Sequence, residues 1–561
     1  MLESTADRRQ FLGRVAAFCA TGGLLSSAAA QEETADAPKL AEATLASAER
    51  LAGVEFSEEE RALLRASAEG HLENLKAVRA LHLRNSLPPA FRFRPDEGLG
   101  TRARASGEQR SATKLYGEPS EKSQEIPFSS IRQLAQRLRK RELKSVDLTR
   151  DVLRRLEELN ERLSCVISFC PERAMEEAAR ADAELDAGTQ KSVLHGIPYG
   201  AKDLLAARGA PTTWGAQPFS QQEIDADADV VRRLQAAGAV LAAKTSVGAL
   251  AWGDVWFGAT TRNPWKLSQG SSGSSAGSAS AVGAGALPFA LGTETLGSLV
   301  SPSTRCGVTA IRPTFGRVSR GGCMALSWTM DKIGPLARSA ADCALVLQQI
   351  AGAESNDPDS VDRPLQWTDE GELRKLRVGV VRSAFDEDGP QKEIDAAVLK
   401  LLQSAGVKLV DVALPEFPVW DLMVILEVEA AAAFEELTLS NRDDELVRQV
   451  EQAWPNVFRA AQLVPAVQYV QAQRARTMLM REYADLFEKI DVFACPSFGA
   501  SSLGATNLTG HPTVVVPNGF REDGTPTSIC FTSGLYREGD AVALAHLYQS
   551  KSDWHKARPT L

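Results

Sequence analysis

The chain has 561 residues, 44% of them hydrophobic, which is enough for about three or four domains or for one large α/β domain with additions. Its net charge of −9 disfavours a nucleic-acid partner. No apolar run reaches about eighteen residues, which disfavours stable insertion into a membrane.

Residues 1–30 contain the parts of an export signal in order. The segment Asp-Arg-Arg-Gln-Phe-Leu at 7–12 resembles a twin-arginine signal, an apolar run follows at 15–25, and three alanines stand at 28–30. A chance pair of arginines at an irregular N-terminus is the alternative. We interpret 1–30 as a twin-arginine signal peptide and expect export to the periplasm or secretion.

The cysteines favour free thiols. Eight are present; Cys19 lies in the predicted signal, and the others are odd in number and contain no Cys-x-x-Cys pair. This pattern is typical neither of a disulfide framework nor of a zinc site. Four cysteines in apolar surroundings are predicted to be core residues: Cys165, Cys306, Cys343 and Cys495.

Residues 31–95 are predicted to form a helical N-terminal region. Leu45 begins the apolar stripe of one helix, and Ser57 with Glu60 makes a capping box for a second. Residues 96–125 are polar and lack periodicity, which predicts a linker or an exposed crossing segment.

Residues 126–561 predict one α/β domain. Ser145 is expected to cap a helix that has leucines along one face. A strand–helix–strand pattern over 376–412 indicates a βαβ unit, and therefore a parallel or mixed sheet covered by helices. The segment 420–490 favours helices, and further strands are expected at 492–495 and 513–516.

A serine–glycine stretch at 268–281 has the composition of a flexible linker. Three features favour a buried functional element instead. The stretch leads directly into an apolar segment at 282–291, a second Gly/Ser motif follows at 292–298, and a lysine stands upstream in a Gly-Ile-Pro turn. No Gly-Lys-Ser or Gly-Lys-Thr follows the glycines, which excludes a P-loop.

Three motifs together resemble the amidase signature family. They are Gly-Ile-Pro-Tyr-Gly-Ala-Lys ending at Lys202, Gly-Ser-Ser-Ala-Gly-Ser with Ser274 second, and Gly-Thr-Glu-Thr-Leu-Gly-Ser ending at Ser298. Related motifs extend the resemblance over about residues 126 to 550. It implies a large mixed sheet flanked by helices, a Lys–Ser–Ser catalytic set, and no metal or other cofactor.

The resemblance implies that Ser298 attacks the carbonyl carbon and that Ser274 relays its proton to Lys202. A serine hydroxyl is a weak nucleophile until its proton is removed, and burial lowers the pKa of a lysine so that the neutral amine can act as the base. In this family the relay serine usually follows a cis peptide bond. The oxyanion hole is predicted to be the backbone N–H groups of Thr295, Leu296, Gly297 and Ser298.

The sequence departs from the family pattern around the nucleophile. Glu294 stands where the family has Asp, Leu296 replaces the first of two glycines, and Val300 replaces a common Arg. Ser271 and Ser272 replace the usual Pro-Gly before the relay motif. Because the Lys–Ser–Ser set is intact, we do not infer an inactive enzyme, and the changes leave substrate size, rate and reaction preference open.

Two rival mechanisms are disfavoured. No Gly-x-Ser-x-Gly elbow surrounds Ser298, as a Ser-His-Asp hydrolase of that type would need. His-x-x-x-His spacing is absent, so no metal site is predicted. Structural or surface roles are expected for the six histidines: His71, His82, His195, His511, His546 and His555.

The sequence therefore predicts hydrolysis of the C–N bond of a small-molecule linear amide through an acyl-enzyme. Carbamate (urethane) or ester hydrolysis is the closest alternative, because the acyl-enzyme route is shared. A glutaminase-type subunit of an amidotransferase complex is an alternative of another class, against which the export signal argues because charged tRNA is cytoplasmic. A non-catalytic binding protein is a third.

The sequence does not determine the oligomeric state, and a homo-oligomer is one of the options that it leaves open. Four residues are candidates for the acyl pocket, with core packing as the alternative for each: Trp252, Trp256, Trp328 and Met330.

Overall fold

The computed structural model describes residues 40–52, 58, 93, 111–116, 125–450, 452–462 and 464–561. The chain divides into two compact units, Met1–His82 and Leu83–Leu561. In the first unit, the helix predicted around Leu45 is present as Glu42–Ala52, with Leu45 buried. The predicted signal peptide and the capping box of Ser57 and Glu60 lie outside the described residues.

The second unit is built on a mixed sheet of eleven strands, and two further strands form a separate pair. The strands are β1 Val166–Phe169, β2 Pro198–Lys202, β3 Val240–Thr245, β4 Arg262–Asn263, β5 Lys266–Gly270, β6 Phe289–Glu294, β7 Thr309–Arg312, β8 Lys332–Ala337, β9 Val378–Val381, β10 Leu409–Val412, β11 Val492–Pro496, β12 Thr513–Phe520 and β13 Pro526–Ser533. The order across the sheet is β1-β3-β2-β6-β8-β7-β12-β13-β11-β9-β10, and β4 pairs with β5.

Two groups of parallel strands flank an antiparallel middle, and the edge strand β1 pairs antiparallel with β3. β3, β2 and β6 run parallel, as do β11, β9 and β10. From β6 to β11 the neighbours pair antiparallel. β2, β3, β6 and β8 are buried along their whole length, which is typical of strands covered on both faces.

Helices flank this sheet and supply most of the remaining core. They are Ala112–Tyr116, Ile131–Arg139, Ser145–Leu163, Pro171–Asp186, Asp229–Ala236, Ala276–Gly283, Val300–Cys306, Ala340–Ile350, Glu370–Leu373, Arg382–Asp386, Lys392–Ser404, Val424–Ala433, Glu435–Leu439, Trp454–Ala461, Ala466–Lys489, Ser502–Leu508 and Glu538–Ser550.

The predicted βαβ unit is confirmed. β9 leads through the helix Lys392–Ser404 to β10, and the two strands pair in parallel with Val378 opposite Leu409. Helices occupy much of 420–490, and the strands expected at 492–495 and 513–516 are β11 and β12.

The predicted capping role of Ser145 is wrong. The helix begins at Ser145 itself, and its first N–H groups donate to a carboxylate from the next helix, with Ser145 N at 2.9 Å and Val146 N at 3.0 Å from Asp182. The Ser145 hydroxyl instead donates to the carbonyl of Gly196 at 2.8 Å. It therefore secures the glycine turn that leads into β2.

Part of the predicted linker is packed rather than exposed. The helix Ala112–Tyr116 buries Ala112 and Tyr116, and the Tyr116 ring lies edge-on to Trp367 and His546. Aromatic burial of this kind outweighs the polar composition around it.

The cysteines within the described residues are free thiols, and the four predicted to be core residues are buried. In the part of the chain that the structure describes, none of the helices combines the length and the apolar character needed to cross a membrane.

Candidate active site

Two parallel strands bring the lysine and the second Gly/Ser motif together. β2 ends at Lys202 and β6 ends at Glu294, and Ala201 of β2 lies opposite Leu291 of β6. Because adjacent parallel strands end at the same edge of a sheet, residues from both motifs meet there.

Lys202 is fully buried and surrounded by hydroxyl groups. Its ammonium nitrogen Nζ donates to Ser274 Oγ at 2.7 Å, Ser275 Oγ at 3.2 Å and Thr293 Oγ1 at 2.8 Å. Burial lowers the pKa of Lys202 from 10.5 to about 7. A substantial neutral fraction of the amine is therefore present at neutral pH, as a base requires.

The serine–glycine stretch is buried from Ser274 onward, whereas Ser268 at its start is exposed. The peptide bond between Gly273 and Ser274 is cis, as the resemblance implies, and the helix Ala276–Gly283 follows at once. A Cβ on Gly273 would lie 1.8 Å from the Gly253 carbonyl oxygen, so only glycine fits there. The stretch is thus packed tightly enough to hold Ser274 against Lys202.

Ser298 lies beside the same stretch. Its side chain is largely buried, and its carbonyl accepts a hydrogen bond from the N–H of Ser275 at 3.2 Å. Gly297 before it has φ +79°, a backbone conformation that favours glycine. Within the residues that the structure describes, the Ser298 hydroxyl makes no hydrogen bond, so the contact with Ser274 that a relay needs is not formed here.

The backbone before Ser298 presents open donors. The N–H groups of Leu296, Gly297 and Ser298 have no acceptor among the described residues, which suits an oxyanion hole. Thr295 is held by its hydroxyl, which donates to Asp331 at 2.6 Å. Burial raises the pKa of that carboxyl group, and hydrogen bonds from the surrounding chain oppose the rise.

Glu294, one of the departures from the family pattern, anchors the segment around the nucleophile. One carboxylate oxygen is 2.6 Å from Arg312 and accepts from Asn507 at 2.8 Å. The other accepts the N–H groups of Leu299 at 2.8 Å and Val300 at 3.0 Å. Burial raises the pKa of Glu294, but Arg312 opposes it and the net result is a pKa of about 2. The side chain is therefore ionised at any physiological pH.

A cavity of about 400 Å³ adjoins these residues. Its wall includes Thr293, which binds Lys202, and Thr295, so the cavity meets the Lys–Ser–Ser residues through their neighbours. Ligand pockets commonly have volumes of about 300–1,000 Å³.

Of the four residues predicted to line the acyl pocket, one lines the cavity and the other three lie elsewhere. Trp328 lines the cavity. Met330 is fully buried in a hydrophobic cluster and is not part of the cavity wall. Trp252 lies under the guanidinium of Arg448 at 5.0 Å in a separate cleft, and Trp256 packs edge-on against the neighbouring phenylalanine.

Sequence reasoning missed Thr293 and Asp331. Thr293 shares a face of β6 with Phe289 and Leu291, so the alternation of a strand could have identified it. Asp331 stands in an Asp-Lys-Ile-Gly-Pro motif, and nothing in the sequence indicates which residue its carboxylate binds.

Two of the described histidines have structural partners, and His71 and His82 lie outside the described residues. His511 is buried with Nδ1 2.8 Å from Thr509 Oγ1, and burial lowers its pKa to about 3. His195 lies 2.8 Å from Glu184, and burial lowers its pKa as well. Over the described ranges, no group of three His, Cys, Asp or Glu side chains could hold a metal ion.

A family model described as "Amidase" matches residues 147–505, which include Lys202, Ser274 and Ser298. The chain belongs to the amidase family. This confirms the membership and the mixed-sheet fold that the motifs implied, and it supports hydrolysis of carbon–nitrogen bonds.

Relatives of this amidase-family chain differ in their described roles. A glutamyl-tRNA(Gln) amidotransferase subunit from Acinetobacter baumannii strain AB0057 is 32% identical over 485 residues, which cover 77% of this chain and 98% of the relative. Native peptide amidase from Stenotrophomonas maltophilia has a TM-score of 0.68 and 28% identity, covering 77% of this chain and 99% of that one. An amidase family protein from Bacillus anthracis strain Ames has a TM-score of 0.70 and 26% identity, covering 78% and 93%.

Proposed function

We propose that this protein hydrolyses the C–N bond of a linear amide, with Ser298 as nucleophile, Ser274 as proton relay and Lys202 as base. One observation carries the proposal. Lys202 is completely buried, its hydrogen-bond acceptors are hydroxyl groups rather than carboxylates, and its pKa falls to about 7.

The proposed reaction has two steps, acylation of Ser298 and hydrolysis of the acyl-enzyme. The Ser298 oxygen bonds to the carbonyl carbon while its proton passes through Ser274 to the amine of Lys202. The N–H groups of 295–298 stabilise the oxyanion, and the C–N bond breaks as the proton returns through Ser274 to the leaving nitrogen. Water then attacks the acyl carbon while its proton passes through Ser274 to Lys202. The bond from Ser298 Oγ to that carbon breaks as the proton returns to Ser298, and the carboxylic acid is released. Catalytic hydrogen bonds commonly tighten only when substrate binds, so the open Ser298 hydroxyl suits this role.

The cavity supports a substrate with an uncharged acyl group. Arg320 in its wall is already paired with Asp357 at 2.9 Å and Asp359 at 2.8 Å. Asp331 accepts N–H and O–H donors from its surroundings, and Lys332 donates to the carbonyl of Met330. A charged substrate group would therefore have to displace existing partners at a cost in free energy.

A glutaminase-type subunit of an amidotransferase complex is the second candidate. It is favoured by the relative from Acinetobacter baumannii, which is matched over 98% of its length. The paired charges of the cavity oppose it, because free glutamine brings both an ammonium and a carboxylate. Carbamate and ester hydrolysis share the acyl-enzyme route. An ester differs from an amide in its leaving group, and a carbamate in addition keeps a second heteroatom on the carbonyl carbon of the intermediate.

A substrate panel with a serine-directed probe tests these candidates. We expect wild-type protein to hydrolyse butyramide or benzamide and to react with a fluorophosphonate, and Ser298→Ala to lose both activities. Ser440→Ala, which changes an exposed serine, is the matched control. Glutamine turnover above that of every other amide, with a co-purifying partner, would replace the proposal by the glutaminase. Preferential carbamate or ester turnover would reassign the substrate, and an unreactive Ser298 would favour a binding protein.

We propose further that the protein is exported by the twin-arginine route. The order of the Arg pair, the apolar run and the alanines over 7–30 supports this. An exported protein would not meet charged tRNA, so export and the glutaminase role oppose each other.

A further inference from the structure

We propose that Glu429 is a positioning residue that sets the acyl preference of the cavity by holding Trp328 in its wall. This inference rests on the proposed function, because it concerns which amides the site accepts. Glu429 lies on the helix Val424–Ala433, well over a hundred residues beyond Ser298 in the chain, and no motif points to it.

One carboxylate holds the chain on both sides of Trp328. Ser327 Oγ donates to Glu429 Oε2 at 2.7 Å, and the N–H of Thr329 donates to the same oxygen at 3.0 Å. Thr329 Oγ1 donates to Glu429 Oε1 at 2.7 Å. The residues before and after Trp328 are therefore fixed by a single buried anion, which limits where the indole ring can lie.

The carbonyl of Trp328 is held from another direction. Arg320 Nη1 donates to it at 2.5 Å, and Arg320 is fixed in turn by Asp357 and Asp359. Trp328 thus sits between two buried ionic groups that reach its main chain from different parts of the fold.

Glu429 is itself secured by the helix Ala466–Lys489. The Tyr469 hydroxyl donates to Glu429 Oε1 at 2.8 Å, and Gln473 donates to the same oxygen at 3.3 Å. From that helix, Arg476 donates to Thr329 Oγ1 at 2.7 Å and to the Thr329 carbonyl at 2.8 Å. Hydrogen bonds to a buried charged group are among the stronger ones in proteins, so this network resists movement of the wall.

The network contacts the cavity wall directly and reaches the reacting groups only indirectly. The N–H of Ser327 donates to Asp331 at 3.1 Å, and Asp331 in turn accepts the hydroxyl of Thr295. Glu429 itself is not among the charged groups that shift the pKa of Lys202. Within the described residues, Glu429 makes no hydrogen bond to Lys202, Ser274 or Ser298. A change at Glu429 therefore alters the fit of the acyl group while the base keeps its surroundings. Misplacing a wall by a small distance costs most for substrates that fill the cavity.

The test is Glu429→Gln, which removes the negative charge and replaces one acceptor oxygen by an NH2 group. That group faces either the N–H of Thr329 or the amide of Gln473, depending on its orientation. Glu427→Gln, on the exposed face of the same helix, is the matched control. With acetamide and benzamide as probes, we expect Glu429→Gln to lower kcat/KM for benzamide about tenfold or more, mainly through KM. Acetamide turnover should stay within about twofold, and the pH midpoint of activity should not move, because Lys202 is untouched.

An equal loss for both amides, or a shifted pH midpoint, would overturn the inference while leaving the proposed function in place. If Ser298 of the wild-type protein does not react with a fluorophosphonate, the result contradicts the proposed function and not the inference about Glu429. Tyr469→Phe removes one hydrogen bond to Glu429 and keeps the charge, so it serves if Glu429→Gln does not fold. It should shift the benzamide-to-acetamide ratio in the same direction by a smaller factor, and an unchanged ratio counts against the inference.

Discussion

Lys202 can act as a base because, within the described residues, its amine is hydrogen-bonded to hydroxyl groups and to no carboxylate; the more distant Asp331 and Glu294 raise its pKa less than burial lowers it. An adjacent carboxylate would raise the pKa of the lysine and keep it protonated, whereas Ser274, Ser275 and Thr293 accept its hydrogens without adding a negative charge. Burial is the main cause of the lowered pKa. Lys244 is the contrasting case: it is also buried, but its amine lies 2.7 Å from the carboxylate of Asp203.

The pH dependence of activity follows from this pKa. If Lys202 is the base as proposed, its neutral amine is the reactive form, so kcat/KM for an amide should rise as pH increases through about 7 and level off above it. Lys202→Met should lower kcat/KM by about 100-fold or more and remove that pH step, since general base catalysis commonly contributes about 10²–10⁴-fold. Lys400→Met, at an exposed lysine, is the control. A step that persists in Lys202→Met would assign the base to another residue.

At the scale of elements, the connection from β6 to the helix Val300–Cys306 carries Ser298, the proposed nucleophile. Glu294 at the end of the strand accepts the first free N–H groups of the following helix, so the carboxylate ties both ends of the connection together. Arg312 of β7 neutralises the carboxylate within the sheet. The connection is thereby held without a side-chain cap of its own.

Removing the charge of Glu294 should destabilise the protein more than removing a surface charge. Glu294→Gln leaves Arg312 without its ionic partner, which costs about 3–5 kcal/mol for a buried pair. Glu370→Gln breaks the exposed pair with Arg374 and should cost about 0–1 kcal/mol. Urea unfolding measures both free energies.

The stabilisation contributed by the Glu294 carboxylate should also depend on pH. The pKa of Glu294 is lowered to about 2 from 4.5, so its stabilisation is complete above about 4.5 and is lost as pH falls through about 2. Equal unfolding free energies for Glu294→Gln and Glu370→Gln at pH 7 would contradict the anchoring role of Glu294.

At the scale of the whole molecule, the chain combines a catalytic unit with an N-terminal sequence that predicts export. If the twin-arginine pair directs export, replacing Arg8 and Arg9 together by Lys should leave the protein in the cytoplasm of a bacterial host, while Arg14→Lys, outside the pair, should not. Fractionation into periplasm and cytoplasm with immunoblotting measures this. Unchanged export of the double variant would reject the route.

The elements that sequence predicted best are those with local signals. The βαβ unit at 376–412 showed strand alternation and helical spacing within one window, and it is present as β9, a helix and β10. Sequence analysis does not predict the helix Ala112–Tyr116 because five residues are too few to show helical spacing, and the partners of Tyr116 are aromatic residues distant in the chain. Ser145 was misassigned because a distant carboxylate, Asp182, took the capping role.

By itself, the sequence determined the family, the order of Lys202, Ser274 and Ser298, and the expectation that the serine–glycine stretch is buried, because these are short motifs with characteristic residues. The tertiary structure alone decided that Thr293 binds Lys202 across 91 positions and that Glu429 binds Thr329 across 100. Such contacts depend on strand register and on how helices dock, and hydrogen-bond partners brought together from distant segments leave no local pattern in the chain.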